Sequence, residues 1–208
     1  MECNDFVPDI VIDSTQYQAT RWSKISKGNW EYAESAYQFY ASLIDYKGFY
    51  LHASAIAIEG KAYLFSGPSG IGKSTHTRLW KQEFGDNAVV FNDDKPAIRC
   101  LDGHWFAYGT PWCGKDGINH NMRVPLAGIC FLEQADRNRI RRLSSKEALS
   151  KLLMQTVRRV DKDKMECLLK LLDVLLREIP IFELENRPEP EAALLSYETM
   201  SQAAVHLK

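Results

Sequence analysis

The amino-acid sequence predicts a single α/β domain (α+β, mixed sheet) with a helical C-terminal third, and three observations support this prediction. A glycine-rich segment at residues 67–74 follows an apolar run of β-type residues and precedes a run that suits a helix. Short β-type runs face each other across tight turns, which is typical of antiparallel hairpins. Beyond residue 145 the apolar residues recur with helical spacing, most clearly among the leucines of residues 162–177. With 208 residues, of which 45% are hydrophobic, the chain can enclose one substantial core.

The first half of the chain is predicted to contain one long helix and two hairpins. Aromatic and aliphatic residues recur every three or four positions over residues 30–44, which indicates an amphipathic helix. Two β-rich runs, 50–58 and 61–66, are separated by Glu59 and Gly60, so we expect them to pair as a hairpin. The remaining predicted elements are a helix over 73–84, a strand over 88–91, a hairpin of 97–100 with 105–108, a loop over 109–121, strands over 126–132 and 140–143, helices over 145–157 and 162–177, a strand over 179–184 and a helix over 189–203.

Composition and charge exclude several classes of protein. The net charge of -1 gives no reason to expect binding to nucleic acid or to an anionic membrane. No apolar run reaches the roughly 20 residues that a membrane span needs. The five cysteines are scattered, odd in number and without a C-x-x-C pair, which favours reduced thiols in a cytoplasm over a disulfide framework or a zinc site.

Residues 67–74 match the motif G-x-x-x-x-G-K-[ST] in full, and each residue type in it has a physical task. Glycines permit backbone angles and a close approach that side chains would block. Successive N–H groups and the start of the following helix then converge on phosphate oxygens. Lys73 is expected to reach the β- and γ-phosphates, and the Ser74 hydroxyl to ligate Mg²⁺. The predicted residues for a nucleoside triphosphate, ATP or another, are Gly67, Ser69, Gly70, Ile71, Gly72, Lys73, Ser74 and Thr75.

An acidic pair, Asp93 and Asp94, ends the next predicted strand along the chain. One carboxylate beside a phosphate-binding loop can hold Mg²⁺, and the other can accept a proton from an attacking hydroxyl. The alternative is an Asn-Asp turn with no functional role, which is common at strand ends. We favour the functional interpretation because the phosphate-binding motif lies nearby in the chain.

These features together resemble the catalytic domain of HPr kinase/phosphorylase, whose fold is related to that of phosphoenolpyruvate carboxykinase. The matching stretch runs from His52 through the hairpin and the motif to Asp93 and Asp94. The resemblance implies that His52 lies near the transferred phosphate, that Asp93 is the base on the acceptor hydroxyl, and that Asp94 lies near the metal. It therefore implies a single-domain P-loop kinase core of this type, with residues 49–208 as the kinase domain and 1–48 as an N-terminal extension with one helix, both in one compact unit.

The chain also departs from that family. The second glycine-rich signature, which those enzymes use for their protein substrate, is absent, and residues 109–117 stand in its place. The chain is thus predicted to be a divergent member that lacks the HPr-specific signature. In residues 109–121 and just beyond, Lys115 and Arg123 are candidates to neutralise phosphoryl charge, and Trp112 is a candidate for substrate contact. The alternative is a plain surface loop with the tryptophan turned inward.

The sequence leaves three functional hypotheses. The first is a Mg-ATP-dependent kinase, with Asp93, Lys73 and His52 as catalytic residues and Ser74 and Asp94 on the metal. Its acceptor would be a hydroxyl of a peptide, a protein or a small molecule, and a homo-oligomer is compatible with it. The second is a nucleotide-binding regulatory module without transfer activity. The third is a carboxykinase-like phosphotransferase that acts on a carboxylic acid.

Overall fold

The computed structural model describes residues 10–12, 26–157 and 160–204, which form five α-helices and one curled, mixed sheet of nine strands. Residues 1–9 and 13–25, which make up much of the predicted N-terminal extension, lie outside the described residues. The helices are α1 (Lys27–Leu43), α2 (Lys73–Phe84), α3 (Ser145–Gln155), α4 (Lys162–Glu178) and α5 (Pro190–Ala204). The strands are β1 (Gly48–Tyr50), β2 (Ala53–Ile58), β3 (Lys61–Ser66), β4 (Ala88–Asn92), β5 (Ala97–Leu101), β6 (His104–Tyr108), β7 (Arg123–Gln134), β8 (Arg139–Arg142) and β9 (Ile181–Asn186).

The sheet runs in the order β1-β5-β6-β7-β3-β2-β4, and β8 and β9 extend it from β7. The twelve-residue strand β7 joins its two halves. The first residues of β7 pair antiparallel with β6, whereas its later residues pair parallel with β3 and β9. Because β3 and β7 are parallel, the end of β3 that leads into residues 67–74 lies beside Phe131 and Leu132 of β7.

Both predicted hairpins are confirmed. Glu59 and Gly60 have φ values of 50° and 73°, and Asp102 and Gly103 have φ values of 51° and 78°. Two consecutive residues with positive φ form the tight turn that matches the twist of antiparallel strands. The β2–β3 hairpin therefore delivers the chain directly to residues 67–74.

The prediction of one strand over residues 50–58 is wrong, because the chain forms two strands there. At the break, the N–H of Leu51 donates to the carbonyl of Pro96, and the N–H of His52 donates to the carbonyl of Gln155. These partners lie outside the ladder, so β1 can pair with β5 while β2 pairs with β3 and β4. The break also places His52 beside the end of α3, which the sequence did not indicate.

Helices cover both faces of the sheet. Apolar residues of α3 and α4, such as Leu152 and Leu172, join the core on one face. On the other face, Trp80 of α2 and Met200 of α5 pack against the strands. The helix α1, the one helix predicted for the N-terminal extension, packs with Tyr40 against the edge formed by β5 and residue 112. None of the helices in the described part of the chain has the length and apolar character needed to cross a membrane.

Candidate functional site

Residues 67–74, the phosphate loop, have the backbone that their glycines predict. Gly67, Gly70 and Gly72 have φ values of 148°, 82° and 108°, in a region that side chains disfavour. A Cβ on Gly67 would lie 3.1 Å from the side chain of Ile71. The loop is therefore compact as well as left-handed at three points, and larger residues would distort it.

The N-terminus of α2 is open for an anion. Its first capping position is Gly72, no side chain caps it, and its first turn holds no acidic residue. The partial positive charge and the N–H groups of the helix start are consequently available to phosphate oxygens. Ser74 is partly buried and Thr75 is exposed in this first turn, and Ser69 and Gly70 are exposed in the loop itself.

Lys73 is buried and its ammonium lies at one end of the phosphate loop. Its Nζ donates hydrogen bonds to the carbonyl oxygens of Gly67 at 3.0 Å and Pro68 at 3.2 Å. Burial lowers the pKa of Lys73, and the charges of Asp94 and Asp93 oppose that shift. The lysine thus links the loop electrostatically to the two carboxylates.

Asp93 and Asp94 lie in different surroundings, within a segment that we name the acidic turn (residues 92–95). Asp93 is buried, its Oδ1 accepts a 2.8 Å hydrogen bond from Ser54, and the Ser54 hydroxyl lies 2.8 Å from that of Thr77 on α2. Asp94 is more exposed, and its carboxylate pairs with the ammonium of Lys95 and lies 3.4 Å from Nε2 of His52. Asp93 therefore points toward α2, and Asp94 points toward His52.

A buried amide, that of Asn92, holds the acidic turn in shape. Its Oδ1 accepts hydrogen bonds from the N–H groups of Asp94 at 3.1 Å and Lys95 at 2.8 Å. Its Nδ2 donates to the carbonyls of Thr110 and Trp112, at 3.0 and 3.3 Å. One side chain therefore joins the acidic turn to the second loop, as we call residues 109–121.

His52 is held from the side opposite Asp94 by the end of α3. Its Nδ1 lies 3.0 Å from Oε1 of Gln155. Burial lowers the pKa of His52, and the nearby Lys73 lowers it further. The imidazole is therefore favoured in its neutral form at pH 7, next to the carboxylate of Asp94.

His52 and Asp94 line a cleft of about 780 Å³. Its walls come from the phosphate loop (Pro68 and Ser69), the acidic turn (Asp94 and Lys95), His52 and residues 154–157 at the end of α3, with Tyr37 and Tyr50 on a further side. This volume is within the usual range for small-molecule sites.

The other sequence-based candidates lie elsewhere. Trp112 is buried against Phe39 and Tyr40 of α1, with ring centroids 5.0 and 5.3 Å apart. The guanidinium of Arg123 lies over the ring of Phe106, 5.1 Å from its centroid. Lys115 is exposed in the second loop. In the described part of the chain none of these three candidates lines the cleft, so the structure does not place them on its walls with His52 and Asp94.

Parts of the second loop nonetheless touch the site. A Cβ on Gly114 would lie 3.3 Å from Oδ2 of Asp93, so this backbone passes directly over the carboxylate. Asp116 forms an ion pair with Arg78 of α2. The second loop therefore closes over Asp93. Trp112 is turned inward, as the alternative interpretation of a plain surface loop predicts.

Sequence reasoning missed several residues of the site. Ser54, Thr77, Gln155 and Lys95 were not predicted, and Asn92 was noted only as part of a motif. A faint signal existed for Ser54, which is a polar residue within a wholly buried strand. For Gln155 there was none, because its contact with His52 spans 103 positions of the chain.

The site suits Mg²⁺ bound together with a nucleotide. In the described residues no group of three or more His, Cys, Asp and Glu side chains could hold a metal by itself. Mg²⁺ usually binds through one or two carboxylates together with substrate phosphates, so the few oxygen donors here fit that mode. Ser74 and one of the two aspartates would hold the ion, which would neutralise phosphate charge.

Comparisons with known proteins give a family and a distant likeness to solved structures. The family model described as "SynChlorMet cassette protein ScmC" matches residues 24–185. Among solved structures, the HPr(Ser) kinase/phosphatase from Coxiella burnetii is similar in fold, with 13% identity and a TM-score of 0.42 over 74% of this chain and 88% of that chain. Comparison with curated proteins gives no match.

Proposed function

The chain belongs to the ScmC family, and we propose that it is a phosphotransferase that binds Mg-ATP and transfers the γ-phosphoryl group to a hydroxyl. One arrangement carries the proposal: the ammonium of Lys73 bonds to the phosphate loop and feels the charges of Asp93 and Asp94, while His52 and Asp94 line a cleft together with Pro68. Phosphoryl transfer needs positioning and charge stabilisation more than covalent chemistry, and this set supplies both. Another nucleoside triphosphate in place of ATP would use the same groups.

The direction of the bound triphosphate follows from Lys73. A lysine at this motif position reaches the β- and γ-phosphates, and its Nζ lies at the carbonyls of Gly67 and Pro68. The γ-phosphate would therefore lie at the Pro68 end of the loop. Since Pro68 also lines the cleft, the acceptor hydroxyl would approach through the cleft.

The two carboxylates would divide the remaining tasks. The family resemblance implies Asp93 as the base and Asp94 near the metal. The surroundings favour the reverse, because Asp94 faces the cleft and Asp93 lies against Ser54 and Thr77 on the α2 side, one turn beyond Ser74. We therefore propose Asp94 as the proton acceptor and Asp93, with Ser74, for Mg²⁺.

Two variants separate these assignments. If Asp94 is the base, Asp94→Asn lowers kcat with little change in the Mg²⁺ concentration for half-maximal activity. Asp93→Asn should then raise that Mg²⁺ requirement. The opposite result for the two variants would restore the assignment that the family resemblance implies.

Nucleotide binding is tested first, by titration calorimetry with Mg²⁺ and a non-hydrolysable ATP analogue. Lys73→Ala should weaken binding roughly 10- to 100-fold, because it removes hydrogen bonds to a charged phosphate. The matched control is Lys81→Ala on the same helix, whose lysine pairs with Asp86 on the surface. Unchanged affinity in Lys73→Ala would contradict the proposed site.

Transfer is tested by following ADP release with peptide, protein and small-molecule alcohols as acceptors. Acceptor-dependent ADP release supports the kinase. Tight binding with no turnover on any acceptor would favour the alternative, a regulatory module that only binds nucleotide.

A further inference from the structure

A second lysine, Lys95, lines the cleft, and side chains hydrogen-bond to both polar groups of its backbone. Its N–H donates to Oδ1 of Asn92 at 2.8 Å. Its carbonyl accepts hydrogen bonds from the hydroxyls of Tyr40 at 2.6 Å and Thr110 at 2.9 Å. Buried side chains from β4, α1 and the second loop thus hold both polar backbone groups of one residue.

The side chain of Lys95 is directed into the site. Its ammonium pairs with the carboxylate of Asp94, and the two side chains are only 31% and 21% exposed. By contrast, the surface pair Lys81–Asp86 is 44% and 107% exposed. The ammonium of Lys73 bonds to the carbonyl of Pro68, and Pro68 lines the same cleft as Lys95. Burial lowers the pKa of Lys73, and the charge of Lys95 acts in the same direction.

We propose that Lys95 is a second catalytic cation, which leaves Asp94 and binds the oxygens of the transferred phosphoryl group; this inference rests on the proposed function. A lysine on a flexible stem can change partners while its backbone stays in place. Its departure also frees the carboxylate of Asp94 to accept a proton. One residue thereby couples the arrival of phosphate to the exposure of the base.

The step balances without any further reactant. The acceptor oxygen forms a bond to the γ-phosphorus, and the bond from that phosphorus to the β-phosphate oxygen breaks. The nucleoside diphosphate leaves with the electron pair, and the hydroxyl proton goes to Asp94. Lys95 keeps its proton throughout and stabilises the charge on the equatorial oxygens.

Asn92, Thr110 and Tyr40 are then positioning residues, because they touch the backbone of Lys95 and not the reacting atoms. Their role is to hold the backbone of Lys95 in place at the wall of the cleft. They also explain why the second loop closes over the acidic turn without lining the cleft.

A transition-state mimic tests the proposal directly. Aluminium fluoride with ADP and Mg²⁺ imitates the transferring phosphoryl group, and a cation for that group binds the mimic more strongly than ADP alone. In the wild-type protein, adding fluoride should tighten ADP binding. Lys95→Met should lose about 10²- to 10³-fold of kcat and most of that gain, with ADP affinity nearly unchanged.

Two further variants complete the test. Lys95→Arg keeps the charge and should retain part of the gain in affinity, which a merely structural role would not require. Lys170→Met, at an exposed position on α4, should behave as wild type. If Lys95→Met keeps the full gain while the wild-type protein turns over ATP, the proposal fails and the kinase proposal stands. If the wild-type protein shows neither gain nor turnover, both fail.

Discussion

The phosphate loop and the acidic turn meet in one cleft, but they are built in different ways. The phosphate loop consists of consecutive residues, and its shape comes from three glycines with positive φ and from the start of α2. The acidic turn is short, and side chains from distant parts of the chain determine its shape. A motif can therefore specify a binding surface locally, whereas the groups that act on the bound ligand depend on the whole fold.

Mutations should therefore affect the two regions differently. A change at Lys73 should weaken nucleotide binding but lower the free energy of unfolding only slightly. The reason is that burial already disfavours the charge of this lysine in the folded protein. A change in the supports of the acidic turn should cost stability and turnover together. The four predictions below test this contrast.

The largest effect is expected for Asn92→Ala. The substitution leaves the N–H groups of Asp94 and Lys95 and the carbonyls of Thr110 and Trp112 without their partner in a buried place. We expect a loss of about 3 kcal/mol in the free energy of unfolding, measured by urea denaturation. The control is Asn87→Ala, at an exposed position just before β4, and it should stay within about 0.5 kcal/mol of wild type.

The same variant should affect nucleotide affinity and kcat differently. Because the phosphate loop is built locally, the affinity of folded Asn92→Ala for the ATP analogue should remain close to wild type, while kcat falls. Equal losses of affinity and turnover would show that the two regions are not separate units.

These two regions also show what the sequence could predict. The phosphate loop, the β2–β3 hairpin and α2 were predictable because their determinants are adjacent in the chain: Glu59-Gly60 for the turn, Gly72 for the helix start and Gly85 for its end. The break between β1 and β2 was not, since it depends on Leu51 and His52 bonding to residues 96 and 155. The β-propensity of the sequence continues through Leu51 and His52, but their tertiary contacts end β1 and begin a new strand.

The division of roles in the site followed the same pattern. The sequence identifies Asp93 and Asp94 as a pair. It does not show which of the two is buried, because both stand at the same strand end. Only the contacts with Ser54 and His52 distinguish them. The surroundings of Trp112 could not be predicted for a related reason, because an aromatic residue in a polar loop looks the same in sequence whether it faces a ligand or α1.

The second largest effect concerns pH and the support of the phosphate loop. His76 of α2 is fully buried, its Nε2 lies 3.0 Å from the hydroxyl of Ser196 on α5, and burial lowers its pKa from 6.5 to about 3. Between these values the unfolded chain binds a proton that the folded chain does not. Stability is therefore full above pH 6.5 and falls as the pH drops, by about 2 kcal/mol at pH 5. His52, whose pKa is also lowered, contributes in the same direction.

Urea denaturation of wild type, His76→Gln and the exposed His104→Gln at pH 7 and pH 5 measures this. The wild-type protein and His104→Gln should lose similar stability on acidification, and His76→Gln should lose less. An unchanged pH dependence in His76→Gln would mean that α2 is not the acid-sensitive support of the loop.

A smaller effect is expected for Tyr40→Phe, which removes the hydroxyl that bonds the carbonyl of Lys95. Thr110 still donates to that carbonyl, so the loss of stability should be only about 1 kcal/mol. Kinetics distinguish the two regions more clearly than stability does. The kcat should fall while the KM for ATP stays unchanged, because the hydroxyl supports the acidic turn and not the phosphate loop. The control is Tyr32→Phe on the same helix, whose hydroxyl bonds the backbone of Cys113 instead.

The smallest effect is expected at the surface contact between α2, which follows the phosphate loop, and the second loop, which Asn92 joins to the acidic turn. Arg78 of α2 pairs with Asp116 of the second loop, and both side chains are roughly half exposed, at 59% and 45%. Solvent and salt screen such a pair, so a double-mutant cycle of Arg78→Ala and Asp116→Ala should give a coupling of less than about 0.5 kcal/mol. If the coupling instead exceeds 1 kcal/mol and persists at high salt, α2 and the second loop are firmly joined, so the phosphate loop and the acidic turn would not be separate units.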